Sequence, residues 1–156
     1  MIEIRIAGWG SASLEHLVLD FNGTLARDGR LLPGVRPRLG RLAARLRIHV
    51  LTADTFGRAA RELRGCPCRV VVLGPRPQDR AKARFVRRLG ARRVVAVGNG
   101  RNDRGMLKAA VLGFALLGAE GAAAESLFAA DAVFSDMRDA LDALLRPLRL
   151  TATLRS

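Results

Sequence analysis

Asp20 closes the apolar run Leu17-Val18-Leu19, and the chain continues as Phe21-Asn22-Gly23-Thr24. A carboxylate that leaves a buried strand just before a glycine is poorly explained by packing, because burying a charge without a partner is costly. Such an acid meets a metal, a cation or a set of backbone amides, or else it caps its own turn; the pentapeptide alone leaves both open. Three further positions weigh on the choice. Thr52 ends the run Ile48-His49-Val50-Leu51 and offers a hydroxyl donor. Gly98-Asn99-Gly100-Arg101-Asn102-Asp103 follows Val94 to Val97 and supplies flexible backbone, two amides and a carboxylate at a helix start, where anions and cations are both accommodated. Lys82 stands near the start of a predicted helix, in a chain whose 27 cations include only two lysines. A compact ammonium is a different tool from a planar guanidinium, which makes Lys82 the informative cation.

Holding these groups together requires a frame. Short apolar runs alternate with segments of helical period, the pattern of a parallel sheet covered by helices. Buried strands are predicted at 17–20, 48–51, 70–73, 94–97 and 114–117. Leu39, Leu42, Ala43 and Leu46 mark one helix, and Phe56, Ala59, Ala60 and Leu63 a second that stops at Gly65. Ala81, Phe85, Val86 and Leu89 line a third that ends at Gly90; Met106, Leu107 and Ala110 begin a fourth; Met137, Ala140, Leu141 and Leu144 mark the last. The expected fold class is α/β, a three-layer Rossmann-like parallel sheet with helices on both faces. One domain over 1–156 is expected, with its core at about 15–146. Right-handed crossovers would bring the loops after the strands to one sheet edge, where ligands of open α/β folds collect. Ile2, Ile4 and Ile6 alternate with polar residues, as do Leu148, Leu150, Ala152 and Leu154. Segments 2–6 and 148–154 are therefore predicted as terminal strands, paired with each other or with another subunit.

Taken in order, Asp20-Phe21-Asn22-Gly23-Thr24, Thr52, Lys82 and Gly98-Asn99-Gly100-Arg101-Asn102-Asp103 resemble the four motifs of the haloacid dehalogenase-like (HAD) superfamily of phosphotransferases, over roughly positions 15–145. Asp-x-x-Gly-Thr, Leu-Thr-x-Asp and Gly-x-Gly-x-Asn-Asp are most similar to the phosphorylation domain of P-type ATPases and its soluble, stand-alone relatives. The resemblance implies a HAD-like fold and a Mg²⁺-dependent phosphatase. Asp20 would be the nucleophile, forming an aspartyl-phosphate; Asn22, Thr52 and Lys82 would complete the catalytic set. The implied phosphate contacts are Asn22, Gly23, Thr52, Ala53, Lys82 and Asn102. Magnesium would be held by Asp20, the Asn22 carbonyl, Asn99 and Asp103, keeping several of its waters.

Two departures from the family pattern change what is expected. HAD phosphatases typically carry an Asp two residues after the nucleophile as general acid and base, whereas this chain has Asn22. A carboxamide cannot exchange that proton, and general acid-base assistance contributes ~10²–10⁴-fold, so either a slow turnover or a long-lived phospho-enzyme is expected. Asp54 is a candidate substitute base, against its simpler reading as the cap of the following helix. Asn99 stands where an Asp usually binds magnesium, so the site has one negative charge fewer. The two asparagines motivate an alternative, an attenuated phosphate-binding or regulatory protein. Only 31 residues separate Asp20 from Thr52, and 29 separate Thr52 from Lys82. Those gaps hold one helix each and a short flap near 27–34, with no room for a cap domain or a pump's nucleotide domain. The expected partner is a phosphorylated substrate, small molecule or macromolecule; an open site of this kind is expected either to accept large substrates, including phosphorylated macromolecules, or to be closed by a neighbouring subunit in a homo-oligomer.

The formal charge of +13 suggests an acidic partner, but 25 arginines spread from Arg5 to Arg155 read as composition, not as one patch. Nucleic acid is not specifically indicated, and a basic nucleic-acid-binding protein rests on charge alone. With six Phe, one Trp and no Tyr, single-stranded bases have few platforms to stack on. No apolar run approaches the ~20 residues of a membrane span, and no signal peptide is evident, so a cytoplasmic chain is expected. Cys66 and Cys68 read as an ordinary turn, His49 as a core histidine and His16 as solvent-facing.

Overall fold

A strand buried along its whole length has no face to offer water, and it settles in the middle of a sheet. Three such strands lie side by side here, β3 (His16–Asp20), β8 (Val94–Gly98) and β9 (Leu112–Leu116), and β3 pairs in parallel with β8, Leu17 opposite Val95 and Leu19 opposite Val97. The structure, a computed structural model, describes residues 1–54, 57–74 and 77–156. Its elements run in the order β1 (Ile2–Ile6), β2 (Gly10–Leu14), β3, β4 (Ala26–Arg27), β5 (Arg30–Leu31), α1 (Val35–Ala43), β6 (Arg47–Thr52), α2 (Arg58–Glu62), β7 (Arg69–Val72), α3 (Gln78–Arg88), β8, α4 (Arg104–Ala109), β9 (Leu112–Leu116), α5 (Ala124–Ala129), β10 (Ala132–Phe134), α6 (Met137–Leu145) and α7 (Leu148–Leu154).

The main sheet is six-stranded and parallel, in the order β10-β9-β8-β3-β6-β7. Alternate side chains feed two cores. Leu17, Leu19, Val95, Val97, Leu112 and Phe114 face one, with α1, α6 and α7 packed over them. Val18, Ala96 and Ala115 face the other, which is closed by Val86 of α3 and by Met106 and Leu107 of α4. This is the expected α/β three-layer arrangement. Between Asp20 and α1 the chain makes only the small β4–β5 hairpin, the flap expected near 27–34. Among the described residues no helix is long and apolar enough to cross a membrane.

Several sequence readings are corrected by the structure. Segment 148–154 is not a strand but helix α7, led by Pro147, whose φ of −57° suits a helix start. Leu150 and Leu154 are also i, i+4 neighbours, and Leu150 is buried, so seven residues fit either period and the packing surface decides. Strand β1 pairs antiparallel with β2, Ile2 opposite Leu14 and Ile6 opposite Gly10, and not with the other chain end. Strands β2 and β10 and helix α5 are further elements that the periodicity does not announce. Phe56, assigned to the second helix, lies outside the described residues.

His16 is buried, not solvent-facing, because β3 is covered on both sides; its Nδ1 lies 3.1 Å from Nε2 of His49. Burial first, and the charge of His16 second, lower the His49 imidazole to about 4. His49 is the hydrogen-bonded core histidine expected.

Candidate active site

Strand order determines where the site forms. After β3 the chain adds β6 and β7 on one side, then returns to β8, β9 and β10 on the other. The connections leaving β3 and β8 therefore diverge, opening a crevice at the carboxyl ends of these two strands. Asp20 is the last residue of β3, and Asn99 directly follows β8.

Lys82, on the buried side of α3, reaches this crevice from the second core and is 1% exposed. Its Nζ donates to Asp20 Oδ1 and to Asp103 Oδ1, at 2.6 Å each. Asp103 is fully buried, and its Oδ2 accepts the backbone N–H groups of Asn99 and Gly100, both at 2.9 Å. Both Asp103 oxygens are thus engaged by protein donors. Asn99 gives its Nδ2 to the Gly121 carbonyl, 3.1 Å away, which turns its Oδ1 toward the crevice. There the hydroxyl of Thr24 donates at 3.2 Å to Asn99 Oδ1 or, with the same single proton, at 3.5 Å to Asp20 Oδ2.

Close approach demands glycine at two places. Gly23 has φ +78°, and a Cβ there would lie 2.4 Å from Asn99 Nδ2; a Cβ on Gly98 would lie 2.5 Å from Asp103 Cγ. The Gly23 N–H is already donated to Ala26, so its contribution is room for Asn99, not a free amide for phosphate.

Two carboxylates about one ammonium leave an unequal balance. Burial, and then the Asp103 carboxylate, push the Asp20 carboxyl up to about 7 against the pull of Lys82. Burial alone would lower Lys82, but the two carboxylates outweigh it and hold the ammonium charged.

Asp20, Lys82, Asn99 and Asp103 thus meet in one buried network. Asn22 and Asn102 are exposed at the same edge. Thr52 ends β6, one residue beyond the register partner of Asp20, and its Oγ1 accepts the Asp54 N–H at 3.0 Å, which leaves the hydroxyl proton to donate; Ala53 follows, exposed. Asp54 Oδ2 accepts from Ala59 N at 2.7 Å, which favours its capping role over a role as base. Two contributors have no role in the sequence reading. Thr24 belongs to the first motif, and its spacing from Asp20 is the available signal. Ser126, buried on α5 and donating to the Gly100 carbonyl at 2.6 Å, gives none.

The remaining side-chain acceptors facing the crevice are oxygens, Asp20 Oδ2 and Asn99 Oδ1. An all-oxygen set with few ligands suits a hard divalent cation that keeps its own water. Among the described residues no three His, Cys, Asp or Glu side chains gather as a cation cage.

No protein-family model matches the chain. It is 45% identical over 64 residues to the uncharacterized protein MJ0073 of Methanocaldococcus jannaschii, covering 41% of this chain and 69% of that one. To the uncharacterized protein MJ0072 of the same organism it is 49% identical over 39 residues, 25% of this chain and 89% of the other. Among solved structures it is similar to the cobalt-bound deoxy-D-mannose-octulosonate 8-phosphate phosphatase of Haemophilus influenzae, with TM-score 0.72 at 16% identity over 92% of this chain and 94% of that one. The 3-deoxy-D-manno-octulosonate 8-phosphate phosphatase of Moraxella catarrhalis, in complex with magnesium and phosphate ions, gives TM-score 0.68 at 12% identity, covering 90% of each chain. A zinc-transporting PIB-type ATPase gives TM-score 0.58 at 23% identity over 79% of this chain and 20% of the pump. The shared fold is the HAD-like one.

Proposed function

Starting from a chain that belongs to one family with the uncharacterized protein MJ0073 of Methanocaldococcus jannaschii and has the HAD-like fold, we propose that it is a Mg²⁺-dependent phosphatase acting through an aspartyl-phosphate on Asp20. The observation that carries this reading is the 2.6 Å contact of buried Lys82 with an acid placed at the carboxyl end of the central strand. That the similar phosphatases act on 8-phosphate monoesters, one of them in complex with magnesium, supports it.

In the first displacement an Asp20 oxygen attacks phosphorus, an Asp20–phosphoryl bond forms, and the ester P–O bond breaks. The leaving oxygen takes a proton from solvent, since Asn22 has none to give. In the second, water attacks the phosphoryl group and releases phosphate and free Asp20. Thr52 donates its hydroxyl to a phosphoryl oxygen, with Ala53 and Asn102 beside it, and Lys82 offsets charge on Asp20 and the phosphoryl group. Asp103 positions Lys82 and the loop after β8. Magnesium would be held by Asp20, Asn99 and the Asn22 carbonyl; when bound it neutralises phosphate charge and keeps Asp20 ionised.

The test is Mg²⁺-dependent hydrolysis of an artificial phosphomonoester, with borohydride trapping of the acyl-phosphate and location of the label at Asp20. Absence of both turnover and label would sink the enzyme reading. Beryllium fluoride binding without turnover would favour a regulatory phosphate sensor, the reading that Asn22 and Asn99 motivate.

The asparagines give two further expectations. Asn22→Asp supplies an exposed carboxyl group two residues from the nucleophile and should raise kcat by about tenfold or more, a share of the ~10²–10⁴-fold that acid-base assistance contributes. The pH–rate profile should acquire a new limb, and an unchanged kcat would show that proton transfer does not limit turnover. Asn99→Asp restores a charged ligand and should tighten magnesium by about tenfold in a calorimetric titration, since ligand charge tunes affinity. Unchanged affinity would remove Asn99 from the cation site.

A further inference from the structure

Helix α3 carries cations of two kinds on opposite sides. Lys82 points inward to the site. Arg80, Arg84, Arg87 and Arg88 recur at i, i+4, i+7 and i+8, which at 3.6 residues per turn confines them to an arc of about 100° facing away from Lys82. All four are exposed, and none belongs to an ion pair among the described residues. Among the described residues Arg38, Arg93, Arg101, Arg104 and Arg138 meet acids and most other arginines do not, but no other helix carries four arginines, let alone on one face. Asp79, the one acid on α3, is turned to Arg104 of α4.

What sets α3 apart is therefore the grouping of four exposed arginines on one face. Arg80 with Arg84, and Arg84 with Arg88, are like charges one turn apart, an arrangement that weakens a helix by tenths of a kcal/mol and that folding gives no reason to keep. A polyanion reverses that cost. Leu73 and Ala81 join Arg84, Arg87 and Arg88 around a concavity of about 520 Å³, and the Arg88 guanidinium lies 5.9 Å from the centre of the Phe85 ring.

We infer that this outer face of α3 docks the phosphate backbone of double-stranded DNA. Guanidinium forks suit phosphate oxygens, and at 1.5 Å rise per residue the stripe is about 12 Å long, the rise of roughly three or four base pairs along a duplex axis. The face has no exposed aromatic for stacking bases, which disfavours single strands. A helix face fits beside the ~12 Å major groove of B-form DNA but not the deep, narrow one of A-form RNA. Contacts of this kind position a duplex without reading its sequence. The docking does not depend on the phosphatase reading.

The experiment is fluorescence anisotropy with an unphosphorylated DNA duplex over a range of salt. Arg80, Arg84, Arg87 and Arg88 are changed together to Ala, and in a control of equal charge Arg41, Arg45, Arg149 and Arg155, all exposed and outside α3, are changed instead. The α3 variant should bind at least about tenfold more weakly, with a salt slope shallower by about 3–4, while the control stays within about twofold of the parent. Equal losses in both would overturn the inference, since overall charge would then explain the binding. Tighter binding of a duplex RNA of the same sequence would overturn the assignment to DNA. Should the fourfold variant lose its cooperative melt, Arg84→Ala with Arg87→Ala replaces it; half the slope change is then expected, and no change overturns the proposal. Hydrolysis of a small phosphomonoester, measured in parallel, reports on the phosphatase reading independently.

Discussion

Asp20→Asn should abolish phosphomonoester hydrolysis, lowering kcat by about 10⁴-fold or more, as loss of a covalent nucleophile does elsewhere. The amide has nearly the volume of the carboxylate but no ionised oxygen to attack phosphorus and no stable acyl-phosphate to form. Stability should survive. Lys82 keeps its 2.6 Å partner Asp103, and the Thr24 hydroxyl keeps Asn99 at 3.2 Å, so the buried ammonium is not orphaned. The variant also removes the buried charge, disfavoured by burial first and by the Asp103 carboxylate second, that holds the Asp20 carboxyl up to about 7. Unfolding in urea at about pH 8 should therefore give a stability equal to or above that of the parent, by the linkage between raised carboxyl groups and pH. Retained turnover in a folded Asp20→Asn protein would remove Asp20 as nucleophile.

Lys82→Met should damage both activity and stability. The thioether fills most of the space of the lysine stem, but Asp20 and Asp103 then face each other with no cation between them. Breaking a buried ion pair by removing one partner costs about 3–5 kcal/mol, and loss of one electrostatic donor at a reacting group costs about 10²–10³-fold in kcat. The stability deficit should depend on pH in a defined direction. In the parent the folded-state carboxyl of Asp20 is already raised from 3.8 to about 7, so its contribution favours folding below the ordinary value and is lost as pH climbs through about 7. Without the pull of Lys82 the Asp20 carboxyl rises further. The difference between variant and parent should be largest at about pH 8 and shrink toward about pH 5 as Asp20 protonates. A difference independent of pH in urea denaturation would mean that the loss comes from packing and not from charge.

Asp20 is readable as a candidate without coordinates because its information is local: three apolar residues make a buried strand, and a carboxylate at its end followed by glycine has few structural uses. The same holds for Thr52 after its own strand and for the glycine-rich loop after β8. Lys82 stands out by composition. Its partners do not, because a lysine on a helix reports only which face it shares, whereas contact with both carboxylates depends on α3 lying over the crevice between β3 and β8. For the same reason the sequence alone assigns Asp103 to the cation, although its two oxygens are taken by Lys82 and by backbone amides.

Residue type and order along the chain are enough for the α/β class, the strand-end position of the acid and the four-motif order, because each is written in runs of a few neighbouring residues. Packing settles everything that depends on distant neighbours. Seven residues at 148–154 fit a strand or a helix until Leu150 finds a core, and His16 is buried because strands on both sides cover β3. Likewise an arginine count is a property of the chain, but a stripe of four arginines on one face exists only once 78–88 is a helix with Lys82 turned into the core.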